Sequence, residues 1–337
     1  MQMVYLSNRP NVWRETWEHV RHFMPWVERA VVIAPPSQGA HFAELPGVTV
    51  IDEIEITGRS ARDLAALDHV RRNVTLRRAA IPTDLVDDEF LLSDDDYRPI
   101  KPVDRSFFGT DETDIGYTCH DLAAWPGHST PFDEAQHTTG QVLSYLGAPR
   151  RAYGSHMPQI MRKDLWVEAF DVWAELRDDD MVCEWAWYFN VSQHLRPERF
   201  TEPQVFQTMC WPPHPHEWQL RERPRAYAFE NFYPDLYAPG AVFDGMPSAL
   251  DTTRVAKLNV EKLLRWSALG RAAGRLDFSD TPDEPWTKGA PGRRATFRVL
   301  HALRKGYDYV SIEEREAISE LLGAVERLER RLDDPRS

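Results

Sequence analysis

Along the first hundred residues the spacing of apolar positions switches repeatedly between two periods. Met3–Ser7 is a short apolar run of strand type. Val12–Phe23 then takes helical spacing, with Val12, Trp13, Trp17, Val20 and Phe23 on one side. Ala30–Ala34 is a continuous apolar run of the buried-strand kind, stopped by Pro35 and Pro36. Val48–Ile51 is another, after the turn residues Pro46 and Gly47. Ser60–Ala80 returns to helical spacing through Leu64, Leu67, Val70, Val74 and Leu76. Glu89–Ser93 is a strand that runs directly into Asp94.

This strand–helix–strand–strand–helix–strand order predicts an α/β, Rossmann-like fold, a mostly parallel sheet flanked by helices. Ligands of such sheets bind beyond the carboxyl ends of the strands. That rule places the segments Ser7–Pro10, Pro35–Gln38 and Asp94–Asp96 on one rim.

Further on, the pattern predicts a strand at Ile115–Thr118 and a loop rich in Gly, Pro, His and Thr over Trp125–Thr139. Helices follow over 164–177 and 182–194, then a proline- and aromatic-rich irregular stretch over 197–249. Thr252–Leu264, Ala295–Leu303 and Ser311–Leu332 read as charged helices, the last opened by a capping-box sequence from Ser311 to Glu314. The expected organisation is one main domain over 1–250 and a helical extension over 251–337.

The 337 residues are 42% apolar, enough for a sizeable core. Net charge is −13, from 40 basic and 53 acidic side chains, which argues against a nucleic-acid partner. Phosphate-bearing substrates stay open, because a bound divalent cation reverses the local sign. Cys119, Cys183 and Cys210 form no C-x-x-C pair, so neither a zinc site nor a disulfide framework is expected. The opening apolar stretch is too short for a signal peptide, and no run of about 18 apolar residues occurs, so the expected location is cytoplasmic. The basic stretch Arg293-Arg294 to Arg304-Lys305 reads either as a peripheral membrane contact or as a solvated helix packed on its own domain. No phosphate-loop, dinucleotide-binding or nucleophile-elbow motif is found.

The strongest chemical signal is Asp94-Asp95-Asp96, three adjacent carboxylates at the end of an apolar strand. Like charges crowd there at a cost that a cation removes, and Mg²⁺ and Mn²⁺ take such oxygen ligands. Alternation along an extended chain would turn Asp94 and Asp96 to the same side. Asn73 and Arg77, four residues apart, share a helix face, and Arg77 suits a phosphate or an aspartate. Glu184 stands among large rings in Cys183–Tyr188 and reads either as a general base or as a helix-surface residue. His156, after Tyr153-Gly154-Ser155 and before Pro158, reads as a metal ligand, a base, a phosphate contact or a capping loop residue. His214 and His216 form a proline-rich pair that is a weak metal candidate, and His120, Asp121, Trp125 and His128 are candidates for the acceptor side.

Phe90–Tyr97 resembles the DxD element of GT-A-type nucleotide-sugar glycosyltransferases, and Asn73–Ala80 is similar to the N…R…A stretch that precedes it there. The resemblance implies a GT-A-like fold and a nucleotide-sugar donor whose diphosphate meets Mn²⁺ or Mg²⁺ on Asp94, Asp95 and Asp96. It further implies that Ser7, Asn8, Arg9, Asn73 and Arg77 border the donor and that Glu184 or His156 activates a glycan or lipid-linked acceptor. A narrower resemblance is to the Stealth proteins, which transfer hexose-1-phosphate in capsule synthesis. It rests on Ile81-Pro82, Phe90–Leu92, Asp94–Asp96, Pro99, Pro102, Phe107-Phe108 and His156-Met157-Pro158 with Lys163-Asp164. The opening Stealth segment is replaced here by Val4–Arg9.

Overall fold

A computed structural model describes residues 1–125, 127, 129–154, 157–206, 208–209, 227–259, 261–262 and 265. His128, His156, His214, His216, Cys210, the basic stretch 293–305 and most of the expected helical extension lie outside these described residues. The chain divides into two compact units, Met1–Phe206 and Gln207–Ser337.

The first unit begins β1 (Gln2–Leu6), α1 (Pro10–Phe23), β2 (Arg29–Ala34), α2 (Pro36–Ala43), β3 (Val48–Asp52). It continues α3 (Glu53–Thr57), α4 (Ala61–Ala65), α5 (His69–Ala80), β4 (Glu89–Asp94) and β5 (Tyr97–Pro99). Two short strands, β6 (Tyr117–Thr118) and β7 (His120–Asp121), lead to α6 (Pro131–Leu146). β8 (Arg151–Ala152), β9 (Gln159–Arg162), α7 (Lys163–Leu176), α8 (Glu184–Leu195) and β10 (Gln204–Val205) complete it. The main sheet has the order β3-β2-β1-β4-β9. The first four strands are parallel, and only β9 runs antiparallel, beside β4.

Each face of this sheet is covered, which is why β1, β2 and β4 read as apolar runs. On one face Tyr5 packs edge-on to Trp13 of α1, with ring centres 6.0 Å apart, and Trp13 meets Phe42 of α2 at 5.2 Å. On the other, Val4, Val31, Ile33, Phe90 and Leu92 join one buried cluster with Val70 and Val74 of α5 and Trp166, Phe170 and Trp173 of α7. Burial of each such aliphatic or phenyl side chain contributes about 1.5–3 kcal/mol.

Three local expectations are corrected. Helical spacing over Ser60–Ala80 hides a break, because the Asp68 side chain accepts from the backbone N–H of Arg71 and starts α5 afresh. Pro35–Gln38 is not a free loop: Pro36 opens α2, where a missing N–H costs nothing. The Trp125–Thr139 stretch holds the first half of α6, not a loop throughout. Its start is a capping box, in which Thr130 Oγ accepts from the Asp133 N–H and Asp133 accepts from the Thr130 N–H.

Asp133 also accepts from Trp125 Nε1 at 2.8 Å and from the Ser129 N–H at 3.0 Å. Burial alone would raise its carboxyl, but the bonds from Thr130, Trp125 and Ser129 outweigh this and bring it down to about 2. A carboxyl depressed by folding contributes stability above its unfolded pKa, and that contribution is lost as pH falls through the folded value. Asp133→Ala should therefore lower stability by about 1–2 kcal/mol at neutral pH. Melting curves of the two proteins should draw together as pH falls from about 4 towards 2. Equal melting temperatures at neutral pH would contradict this role.

In the second unit, β11 (Thr208–Met209) pairs in parallel with β12 (Phe229–Asn231). Glu230 and Lys262, both fully buried, form an ion pair, and the Tyr237 hydroxyl donates to Glu230 at 3.2 Å. No helix among the described residues is long and apolar enough to cross a membrane.

Candidate active site

Strand order reverses at β1, which has β2 on one side and β4 on the other. Leu6 lies in register with Asp94, so the carboxyl ends of β1 and β4 finish side by side at the place where open α/β sheets bind ligands. Ser7–Arg9 and Asp95–Asp96 come there because they immediately follow β1 and β4, whereas Arg77 and Glu184 come from α5 and α8.

After β1 the chain runs Ser7-Asn8-Arg9 into Pro10, the first residue of α1. Ser7 Oγ accepts from the Arg9 backbone N–H at 3.1 Å and donates to Asp95 Oδ2 at 2.6 Å. The Arg9 guanidinium spans two carboxylates. Its Nε donates to Asp95 Oδ2 at 3.2 Å, and its Nη2 donates both to Asp95 and, at 3.0 Å, to Asp96 Oδ2. Asn8 is exposed on the same loop.

After β4 the expected alternation of the aspartates ends, because the strand stops at Asp94 and Asp95-Asp96 form a turn before β5. Asp94 instead meets Arg77 Nη2 at 2.7 Å, while Arg77 Nη1 pairs with Glu184, the first residue of α8. Arg77 is only 2% exposed and its guanidinium lies 5.7 Å from the centre of the Trp185 ring. Among the described residues its Nε has no acceptor. Glu184 is buried rather than lying on a helix surface, with its carboxylate on Arg77. Asn73 lies one helical turn before Arg77 and is half-buried. These side chains form two contact groups, Ser7, Arg9, Asp95 and Asp96 in one and Arg77, Asp94 and Glu184 in the other, with the neighbouring residues Asp94 and Asp95 at the junction.

Burial governs the charges here. It holds Asp95 above the usual carboxylate range, against the lowering effect of Arg9 and Ser7. Asp96 is pushed up to about 6, first by burial and then by its neighbours Asp94 and Asp95. Below them the Tyr5 phenol is raised well above its ordinary value by burial and by Asp95. Trp185 and Tyr5 border this site without being among the residues the sequence marks. Trp185 had a visible signal, standing next to Glu184, whereas Tyr5 had none beyond its place on β1.

Among the described residues no three His, Cys, Asp or Glu side chains converge as a ready-made metal cage. Mg²⁺ seldom needs one, since it settles on one or two carboxylates plus substrate phosphates. Asp94, whose side chain keeps 26% of its surface exposed, and the pair Asp95 and Asp96 supply such oxygens. The three carboxylates fit this cation in chemistry. On the candidate acceptor side, the His120 ring stacks on Trp125 at 5.3 Å, and burial lowers the His120 pKa.

No protein-family model matches the chain. No curated protein matches it either. Among solved structures, it is similar to an active-site mutant of LgtC, at 15% identity and a TM-score of 0.38, over 77% of this chain and 95% of that one. It is also similar to the apo form of mouse xyloside xylosyltransferase 1, at 11% identity and a TM-score of 0.38, over 68% of this chain and 96% of that one. At these scores neither likeness assigns a role to any residue.

Proposed function

We propose that this chain is a glycosyltransferase of GT-A type, moving a sugar from a nucleotide-sugar donor to a hydroxyl of a glycan or lipid-linked acceptor, with Mn²⁺ or Mg²⁺ as cofactor. The observation that supports this most is the meeting of three carboxylates and two guanidinium groups at the point where the strand order reverses. A donor diphosphate carries concentrated negative charge that grows as the sugar departs. Such a group needs both a divalent cation and fixed positive side chains.

In this reading Asp94, Asp95 and Asp96 hold the cation, which when bound neutralises charge on the departing nucleoside diphosphate. Ser7, Asn8 and Arg9 border the nucleotide, and the N-terminus of α1 adds its dipole to the same rim. Asn73 and Arg77 fix the sugar or phosphates, with Arg77 held in place by Asp94 and Glu184. The proton of the acceptor hydroxyl goes to Glu184 or His156. In this reading the main domain over 1–250 carries the reaction in the cytoplasm, and the basic stretch 293–305 of the extension over 251–337 is either a peripheral membrane contact or a solvated helix packed on its own domain.

Product analysis tests the reading. With Mn²⁺ and a panel of nucleotide sugars, the expected product is a nucleoside diphosphate. Release of a nucleoside monophosphate would assign the chain to Stealth-like sugar-1-phosphate transfer instead. Absence of turnover with every donor and acceptor tried would favour a non-catalytic carbohydrate-binding or scaffold protein.

A further inference from the structure

Arg9 and Arg77 both pair with the aspartates, but they are held very differently. Arg77 is buried, fixed between Asp94 and Glu184 and covered by Trp185. Arg9 sits on the connection between β1 and α1 with 44% of its side chain exposed, and its guanidinium pairs with Asp95 and Asp96. Those two carboxylates, in contrast, are 4% and 8% exposed. Adjacent buried carboxylates are costly without a positive partner, and Arg9 supplies one to both. A divalent cation and a guanidinium compete for these same oxygens, since each repels the other at such range.

We propose that Arg9 is an exchangeable counter-ion, which neutralises Asp95 and Asp96 when no cation is bound and passes to the donor diphosphate when a cation takes its place. This rests on the transferase reading above. Its physical basis is the flat fork of the guanidinium, which pairs as well with phosphate oxygens as with carboxylates. A cation arriving alone gains the two carboxylates but leaves Arg9 without an anionic partner. A cation arriving with a diphosphate gives Arg9 a new partner within the same rim. Cation and diphosphate therefore bind cooperatively, and the coupling runs equally in both directions.

The test uses Arg9→Gln and Arg9→Lys in the full chain, with Mn²⁺ binding followed by electron paramagnetic resonance of the free ion. Mn²⁺ is titrated alone and with UDP or GDP, correcting for Mn²⁺ held by the free nucleotide. Arg9→Gln is expected to bind Mn²⁺ alone about tenfold more tightly than the wild type, and to lose about tenfold of the help that Mn²⁺ gives to nucleotide binding. Should the glutamine variant fold poorly, Mn²⁺ alone should raise its melting temperature more than that of the wild type. Arg9→Lys, which keeps the charge but not the fork, should fall between the two proteins. Equal or weaker Mn²⁺ binding by both variants, with the wild type still needing Mn²⁺ to bind nucleotide, overturns the exchange and leaves the transferase reading standing. A wild type that binds neither Mn²⁺ nor either nucleotide overturns both.

Discussion

Arg77→Met is expected to lower the unfolding free energy by about 3–5 kcal/mol, the cost of leaving a buried charge pair without one member. Arg77 is the shared partner of Asp94 and Glu184, and its removal strands both carboxylates at the end of the sheet. Methionine keeps much of the side-chain volume, so lost packing makes a small part of the effect. For a chain of this size the loss corresponds to a fall in Tm of about 6–20 °C. Combining it with Glu184→Gln should restore part of the loss, because the double variant no longer buries an unpaired Glu184 charge. A fall below about 1 kcal/mol in urea unfolding, the range of exposed ion pairs, would contradict the burial and pairing described for Arg77.

Asp94→Asn is expected to lower kcat/KM by about 10³-fold or more, since the stabilisation a divalent cation gives to a departing diphosphate is several kcal/mol. The substitution keeps shape and one acceptor oxygen for Arg77, so the fold should survive it. The loss should come with a matching loss of Mn²⁺ dependence. Full activity in Asp94→Asn would remove this residue from the proposed cation site.

Much of this architecture is legible in the chain, and the reasons differ between elements. β2 and β4 are apolar on both sides because both faces of the sheet are covered, so their runs in Ala30–Ala34 and Phe90–Leu92 stand out. The first half of α6 is hard to read because His, Thr and Gly dilute its apolar face, although Thr130-Pro131-Phe132-Asp133 carries a helix-start signal. β9 is four residues long and lies at the sheet edge, too short for any period to register. At the site, the residue types at the strand ends were readable, because strand ends dictate where such residues go. Their pairings were not: Arg9 Nε and Asp95 are 86 residues apart, and Arg77 and Glu184 are 107 apart. The turn at Asp95-Asp96 also hid which aspartate faces which arginine, since a period of two fails where the strand stops.

The central claim is that a cation and a diphosphate meet on Asp94–Asp96. Its most direct test is the melting temperature of the wild type and of Asp94→Asn, each with a panel of nucleotide sugars, with and without Mn²⁺. A ligand that binds only the folded protein at about a hundred times its Kd adds about 2.7 kcal/mol of stability. The account predicts a rise of several degrees for the wild type with one donor and Mn²⁺ together, and little or none without Mn²⁺ or in Asp94→Asn. No rise with any donor in the presence of Mn²⁺, or an equal rise in Asp94→Asn, would contradict it.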